Sequence, residues 1–312
     1  MKLLCTGDLH IGRRPSHTPS YLDGRHCSCA AAWEALVEGA ITEKVDAVLI
    51  SGDIVDRNNR FYEAFGPLER GLKRLAQAEI ETFAVAGNHD YDVLPRLVDT
   101  VGPEHFHLVG RGGKWEKVPL RRNGCTLLEV HGWSFPHEYV SYNPLQTYNL
   151  SHDGNIPTLG LLHADLDQPA SRYAPVPLSD LQRRPVDLWH LGHVHRPLFY
   201  EQEGTPLIFY PGCPQAMDPG ETGLHSVWLI YWDGGRPSYR AMPLAAVRYD
   251  TISVDLSGVE QENEIEPRII QALKAHLAQV SAESGPRIEC LCCRLRLTGR
   301  TRLHRQLPRL CA

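Results

Sequence analysis

Seven side chains able to bind a divalent cation stand at or just past the ends of five short apolar runs: Asp8 and His10, Asp53, Asn88, His163, and His193 with His195. The runs cover residues 3–6, 47–51, 83–86, 159–162 and 188–191, and four of the five turn on a glycine. Seven oxygen and nitrogen donors are more than one metal takes. Imidazole, carboxylate and amide without thiolate suit manganese, iron or zinc rather than calcium or a structural zinc. The chemistry implied is two-metal hydrolysis, in which paired cations about 3.5–4 Å apart clamp the attacking and leaving oxygens of a phosphoryl displacement. Holding two cations so close needs a bridging carboxylate, and Asp53 is the candidate. One ion would take Asp8, His10, Asp53 and His195; the other would take Asp53, Asn88, His163 and His193.

Apolar runs bounded by turn signals read as buried strands, and the carboxyl ends of strands in an open α/β sheet are where ligands gather. All five runs are therefore expected to deliver their donors to one edge of one sheet. Asp8 and His10, two apart, would project to the same side of an extended backbone. Between the first two runs, Trp33, Leu36, Val37, Ala40 and Ile41 fall at helical spacing; between the second and third, Leu68, Leu72, Leu75 and Ala76 do the same, with Pro67 in a first turn. Strand–helix alternation predicts parallel pairing. Strand-like runs at 118–120, 126–130, 207–210 and 226–231 predict a second sheet packed on the first.

Beyond residue 245 the pattern changes again. A strand over 251–256, a helix over 262–280 and a strand over 287–297 form a small β-α-β module, with Ile265, Ile269, Ile270, Leu273 and Leu277 on one side of its helix. Arg300, Arg302, Arg305 and Arg309 follow. The expected division is 1–245 and 246–312.

The 312 residues are 42% hydrophobic and 22% charged, ordinary for a globular chain, with length for a sizeable core. Asp8 interrupts the opening apolar stretch too early for a signal peptide, and no stretch approaches a membrane span, so a cytoplasmic location without membrane contact is expected. Nine cysteines in such a chain favour reduced thiols, with Cys290 and Cys292 on one face of a strand. The net charge of -5 argues against a broad basic surface for nucleic acid but leaves room for a local one, because bound cations would invert the potential in a cleft rich in carboxylates.

The set Asp8-Leu9-His10, Gly52-Asp53-Ile54-Val55-Asp56, Gly87-Asn88-His89-Asp90, His163 and Gly192-His193-Val194-His195 resembles the calcineurin-like metallophosphoesterases. Their ordered motifs are D-x-H, G-D-x-x-D, G-N-H-D/E, a lone His and G-H-x-H. Within them the chain is most similar to the SbcD-type DNA repair exonucleases, the nuclease subunit of the SbcCD complex, through Asp8 to Gly12, Tyr210 to Gln215, Glu221-Thr222-Gly223 and the C-terminal module. The resemblance implies a four-layer α/β/β/α sandwich with a small β-α-β cap and two divalent ions, manganese foremost. It also implies a metal-bound hydroxide as nucleophile, His89 as the catalytic residue at the leaving group, and Asp56 supporting it. The expected substrate is DNA, at duplex ends and in single strands. Relatives continue into a longer cap and a segment that docks on an SbcC-type ATPase; this chain stops at Ala312, leaving that partner, like homodimer formation, open. Arg13, Arg14, Arg57 and Asn58, just past the first two metal motifs, are candidates for phosphate contacts. The rivals are a phosphatase or cyclic-nucleotide phosphodiesterase on the same site, and a non-catalytic DNA-end scaffold.

Overall fold

The computed structural model describes residues 1–22, 26–57, 62–102, 104–233, 235–284 and 288–307. The amino-terminal part alternates strand and helix: β1 (Lys2–Thr6), α1 (Cys29–Glu43), β2 (Ala47–Ile50), α2 (Tyr62–Gln77), β3 (Glu81–Ala84), α3 (Leu94–Val101) and β4 (Phe106–Leu108). These four strands pair in parallel, in chain order. Ser28 caps α1 by accepting from Ala31 N–H, and Trp33, Leu36, Val37 and Ala40 form its buried face as their spacing predicts. Along β1, Leu4 faces the helices while Leu3 and Cys5 face the opposite layer, so both sides of the strand are apolar.

The chain then builds the facing sheet from β5 (Glu116–Arg122), β6 (Cys125–Trp133), β7 (Thr158–His163), β10 (Leu188–Gly192), β11 (Leu198–Tyr200) and β12 (Leu207–Tyr210), with a short pair β8 (Asp165–Leu166) and β9 (Pro175–Val176) and helix α4 (Leu178–Gln182) looping out between β7 and β10. β13 (Ser226–Tyr231) and β14 (Ser238–Pro243) return to the first sheet. Among the described residues the two large sheets have the orders β14-β13-β1-β2-β3-β4 and β11-β12-β10-β7-β6-β5. Leu49, Phe83 and Val85 meet Leu128, Leu159, Leu188 and Phe209 between them. The layers are α/β/β/α, but the last is thin. Trp133, Trp189 and Tyr210 on the outer face of the second sheet are covered by α4, a 3₁₀ turn at Pro144–Thr147 and loop residues such as Phe135 and Val140.

Two strand placements differ from the sequence reading. β13 was expected in the second sheet, yet it pairs antiparallel with β1. β7 and β10 were expected beside β1–β3, yet they pair with each other in the second sheet. Apolar periodicity marks a strand and its faces; it does not encode the partner. Pro67 is also not in a first turn but six residues into α2, where its carbonyl accepts from Trp33 Nε1 at 3.0 Å.

The C-terminal β15 (Val247–Asp255), α5 (Ile265–Ser284) and β16 (Cys290–Thr298) form the expected module, with β15 and β16 parallel. Ile265, Ile269 and Leu273 pack on Ile252, Val254 and Leu297. Ile270 and Leu277, expected on that face, are 41% and 52% exposed, because two strands are too narrow to cover a wide helical stripe. Cys290 and Cys292 do share a face, with sulfurs 3.6 Å apart, and meet Cys27 of the main body. Arg287 and Arg309 lie outside the described residues.

Candidate metal centre

The donors converge because the carboxyl ends of the two sheets meet. β1, β2 and β3 supply Asp8, His10, Asp53 and Asn88, and β7 and β10 supply His163, His193 and His195. The single-sheet expectation is therefore corrected to a seam between two sheets. The backbone leaves the strands abruptly: Asp8 (φ 51), His10 (φ 44), Asp53 (φ 50) and His193 (φ 98) all lie in the left-handed region. Asp8 and His10 are thus not on extended backbone; a folded turn aims them. Such conformations cost on the order of 1–3 kcal/mol each and persist where the surroundings hold them. The loops after β1 and β2 hold each other through Asp8 N–H to Gly52 O (3.0 Å) and His10 N–H to Asp53 O (2.9 Å). Gly87 lets Asp53 approach, since a Cβ there would lie 2.2 Å from Asp53 Oδ1.

Asp53 is central. Its Oδ2 lies 3.5 Å from His163 Nε2 and 3.9 Å from His10 Nε2, while Oδ1 accepts from His89 N–H at 2.8 Å. On one side, His10 Nε2 is 3.3 Å from His195 Nε2, which is 3.9 Å from Asp8 Oδ1. On the other, His163 Nε2 is 3.0 Å from Asn88 Oδ1, and the His163 and His193 rings stand 5.2 Å apart, near edge-on. His163 Nδ1 donates to Ser51 O at 2.9 Å, which leaves Nε2 as a lone pair facing two oxygens. The pattern repeats at His195, whose Nδ1 is 2.6 Å from Glu221 Oε1. Buried acceptors facing one another are costly unless a cation lies among them. The nitrogen and oxygen donor set fits a divalent transition metal.

The electrostatics follow from this crowding. Burial alone would raise Asp53, but His163, His10 and His89 outweigh it and hold the carboxyl below its usual range. Burial opposes charge on His195, yet its bond to Glu221 and the charge of Asp8 lift the metal-free imidazole to about 9. A cation held by His195 would take the place of that proton. Burial pushes His89 down to about 4 against the pull of Asp53 and Asp56, so it is neutral at rest.

His89 differs from the seven donors. Its side chain is 28% exposed, Asp56 Oδ1 stands 3.8 Å from Nδ1, and its ring meets His10 edge-on at 4.7 Å. It opens on a cleft of about 740 Å³ also lined by Gly12, Arg13, Arg14, Asp56, Arg57 and Glu63. Of the expected phosphate contacts, Arg13 is ion-paired with Asp218, Arg57 is 2.7 Å from Glu138, and Arg14 is exposed on the wall. Asn58 lies outside the described residues.

Three carboxylates carry roles the sequence reading did not assign. Asp90, fully buried, accepts from Ile54 N–H (2.7 Å), Val55 N–H (3.2 Å) and Gly87 N–H (2.8 Å), tying the Asp53 loop to the Asn88 loop. Its place in Gly87-Asn88-His89-Asp90 was the available signal. Asp165 Oδ1 stands 3.5 Å from His193 Nε2, and Glu221 backs His195. Glu221 stood in the Glu221-Thr222-Gly223 segment of the resemblance without an assigned role, while Asp165, a single acidic residue without a spacing signature, gave no warning.

Residues 1–197 match the family model of the calcineurin-like phosphoesterases, and residues 249–310 match that of the middle domain of metallophosphoesterase YhaO. The uncharacterized metallophosphoesterase YhaO of Bacillus subtilis is 26% identical over 287 residues, covering 91% of this chain and 67% of its own length. The DNA double-strand break repair protein Mre11 of Sulfolobus acidocaldarius is 27% identical over 293 residues, covering 89% of this chain and 72% of its own. Mre11 of Methanosarcina acetivorans is 30% identical over 296 residues, 90% of this chain but only 44% of that protein. With a family model matched across well over half its length and the metal motifs gathered in one centre, the chain belongs to the calcineurin-like phosphoesterase family.

Proposed function

We propose that this chain is a two-metal phosphodiesterase of SbcD type acting on DNA ends, with manganese as the preferred ion, residues 1–245 as the nuclease domain and 246–312 as a partial DNA cap. The observation that carries this reading is the convergence of Asp8, His10, Asp53, His163 and His195, with Asn88 and His193 against His163, beside His89 at a cleft lined by Arg13, Arg14 and Arg57 together with Asp56 and Glu63. Asp8, His10, Asp53 and His195 would hold one ion, and Asp53, Asn88, His163 and His193 the other, with Asp53 shared. When bound, two divalent cations activate water and neutralise charge on the reacting phosphate. The protein's own part is to keep the donors rigid, through Asp90 and the paired loops, and to offer His89 at the open side. There His89 acts at the departing sugar oxygen. Asp56, whose Oδ1 is 3.8 Å from His89 Nδ1 and 3.5 Å from His10 Nδ1, would support the ring by its charge. An anionic phosphodiester would raise the imidazole pKa from its resting value, so that His89 takes up the proton it then gives to the leaving oxygen. Arg13, Arg14 and Arg57 would meet backbone phosphates. Two relatives bear the name of double-strand break repair proteins, which supports DNA as the substrate.

The test is incubation of purified protein with labelled duplex DNA, single-stranded DNA and a phosphomonoester, each with manganese, magnesium or zinc. Cleavage of DNA with manganese and little release from the monoester is expected. Turnover of the monoester alone would make the chain a phosphatase, and no hydrolysis with any metal would make it a scaffold.

A further inference from the structure

The segment between β12 and β13 reaches back under the metal centre. Glu221 Oε1 stands 2.6 Å from His195 Nδ1, while its Oε2 accepts from Met217 N–H at 2.6 Å and lies 3.8 Å from Cys213 Sγ. Among the described residues this is the shortest imidazole–carboxylate contact in the centre; His193 meets Asp165 at 3.5 Å, and His163 uses the Ser51 carbonyl instead. A ring nitrogen held by a carboxylate keeps its hydrogen, so when His195 gives up a proton it is Nε2, facing Asp8 and His10, that holds the lone pair. The same segment docks the C-terminal module: Gln215 Nε2 donates to Val247 O at 2.9 Å, and Gly223 N–H donates to Tyr249 O at 3.0 Å. Its backbone is therefore held from both sides.

We infer that Glu221 is a positioning residue of the metal centre: it fixes the tautomer and ring orientation of His195, and so sets how tightly one of the two ions is held. The inference rests on the two-metal reading above. A carboxylate behind a ligating imidazole is worth roughly 10- to 100-fold in metal affinity. Glutamine keeps an oxygen able to accept from Nδ1–H, whereas alanine keeps nothing.

Manganese titration of the metal-free protein by calorimetry tests this, with Glu221→Ala, Glu221→Gln, His195→Ala and the Glu221→Ala/His195→Ala double variant. The wild type should take up two ions. Glu221→Ala should weaken one by about 10- to 100-fold and spare the other, Glu221→Gln should lose less, and the double variant should bind no more weakly than His195→Ala alone. Such non-additivity marks action through His195. Unchanged affinities in Glu221→Ala, or losses that add in the double variant, would overturn the role. So would equal weakening of both ions with a lowered melting temperature of the metal-free protein, the mark of a purely structural part. A wild type that takes up no pair of ions would instead bring down the two-metal reading itself.

Discussion

Replacing Gly192 by alanine should spring the joint between the two sheets that holds His163. A methyl carbon there would lie 1.9 Å from the Ser51 carbonyl oxygen and 2.8 Å from His163 Nδ1. Gly192 is not in the left-handed region, so alanine meets an objection of space alone. Carbon and oxygen tolerate about 3.3 Å at closest, and Ser51 would have to retreat by roughly 1.4 Å. Ser51 is buried backbone at the end of β2 and cannot swing aside as a flexible side chain would. Overpacking a filled core costs about 1–3 kcal/mol, and a clash with backbone belongs at the upper end, about 3 kcal/mol. With a urea dependence of about 3 kcal/mol per M, the unfolding midpoint of the metal-free protein should fall by about 1 M. The same retreat removes the acceptor of His163 Nδ1–H, now at 2.9 Å, so the variant should also bind its second ion poorly. Tryptophan fluorescence in urea, together with metal counting, reads both effects. A midpoint within about 0.2 M of the parent and full metal uptake would refute the packing argument.

Asp53→Ala should retain neither ion, whereas His195→Ala should lose chiefly one; elemental analysis decides, and two ions in the Asp53 variant would sink the shared-ligand assignment. His89→Ala should keep its metals yet lose activity by roughly 10²–10⁴-fold, with much of the loss recovered on a nitrophenyl phosphodiester; a drop in metal content would make His89 a ligand instead. His190 is wholly buried and stacked on Phe209, and burial pushes its pKa down to about 3 from 6.5. The unfolded chain thus binds an extra proton between these values, and stability is lost as pH falls below 6.5, by up to about 1.4 kcal/mol per unit. His190→Phe should flatten that slope in melts between pH 7 and 5, and an unchanged slope would place the acid sensitivity elsewhere.

The five runs with their terminal donors were legible because a buried strand ending in a polar residue beside glycine leaves a mark in local sequence. Their pairing was not. Nothing in 159–163 or 188–192 distinguishes a neighbour of β1 from a strand of the facing sheet, since that choice is made by long-range burial. The left-handed turns at Asp8, His10, Asp53 and His193 were also hidden, because the residue types alone permit ordinary backbone. Glu221 and Asp165 reach their imidazoles across 26 and 28 residues of chain, a contact that local sequence does not mark. The exposed side of α5, with Ile270 and Leu277, could not be told from its buried side until the width of the two-stranded sheet was known.

Asp53 is placed to be shared by two cations at the seam of the sheets. A crystal of the protein grown with manganese, with diffraction recorded for the metal's anomalous signal, tests it most directly. Two peaks roughly 3.5–4 Å apart, one on each side of the Asp53 carboxylate, are predicted. A single peak, or two that do not share Asp53, would contradict the account.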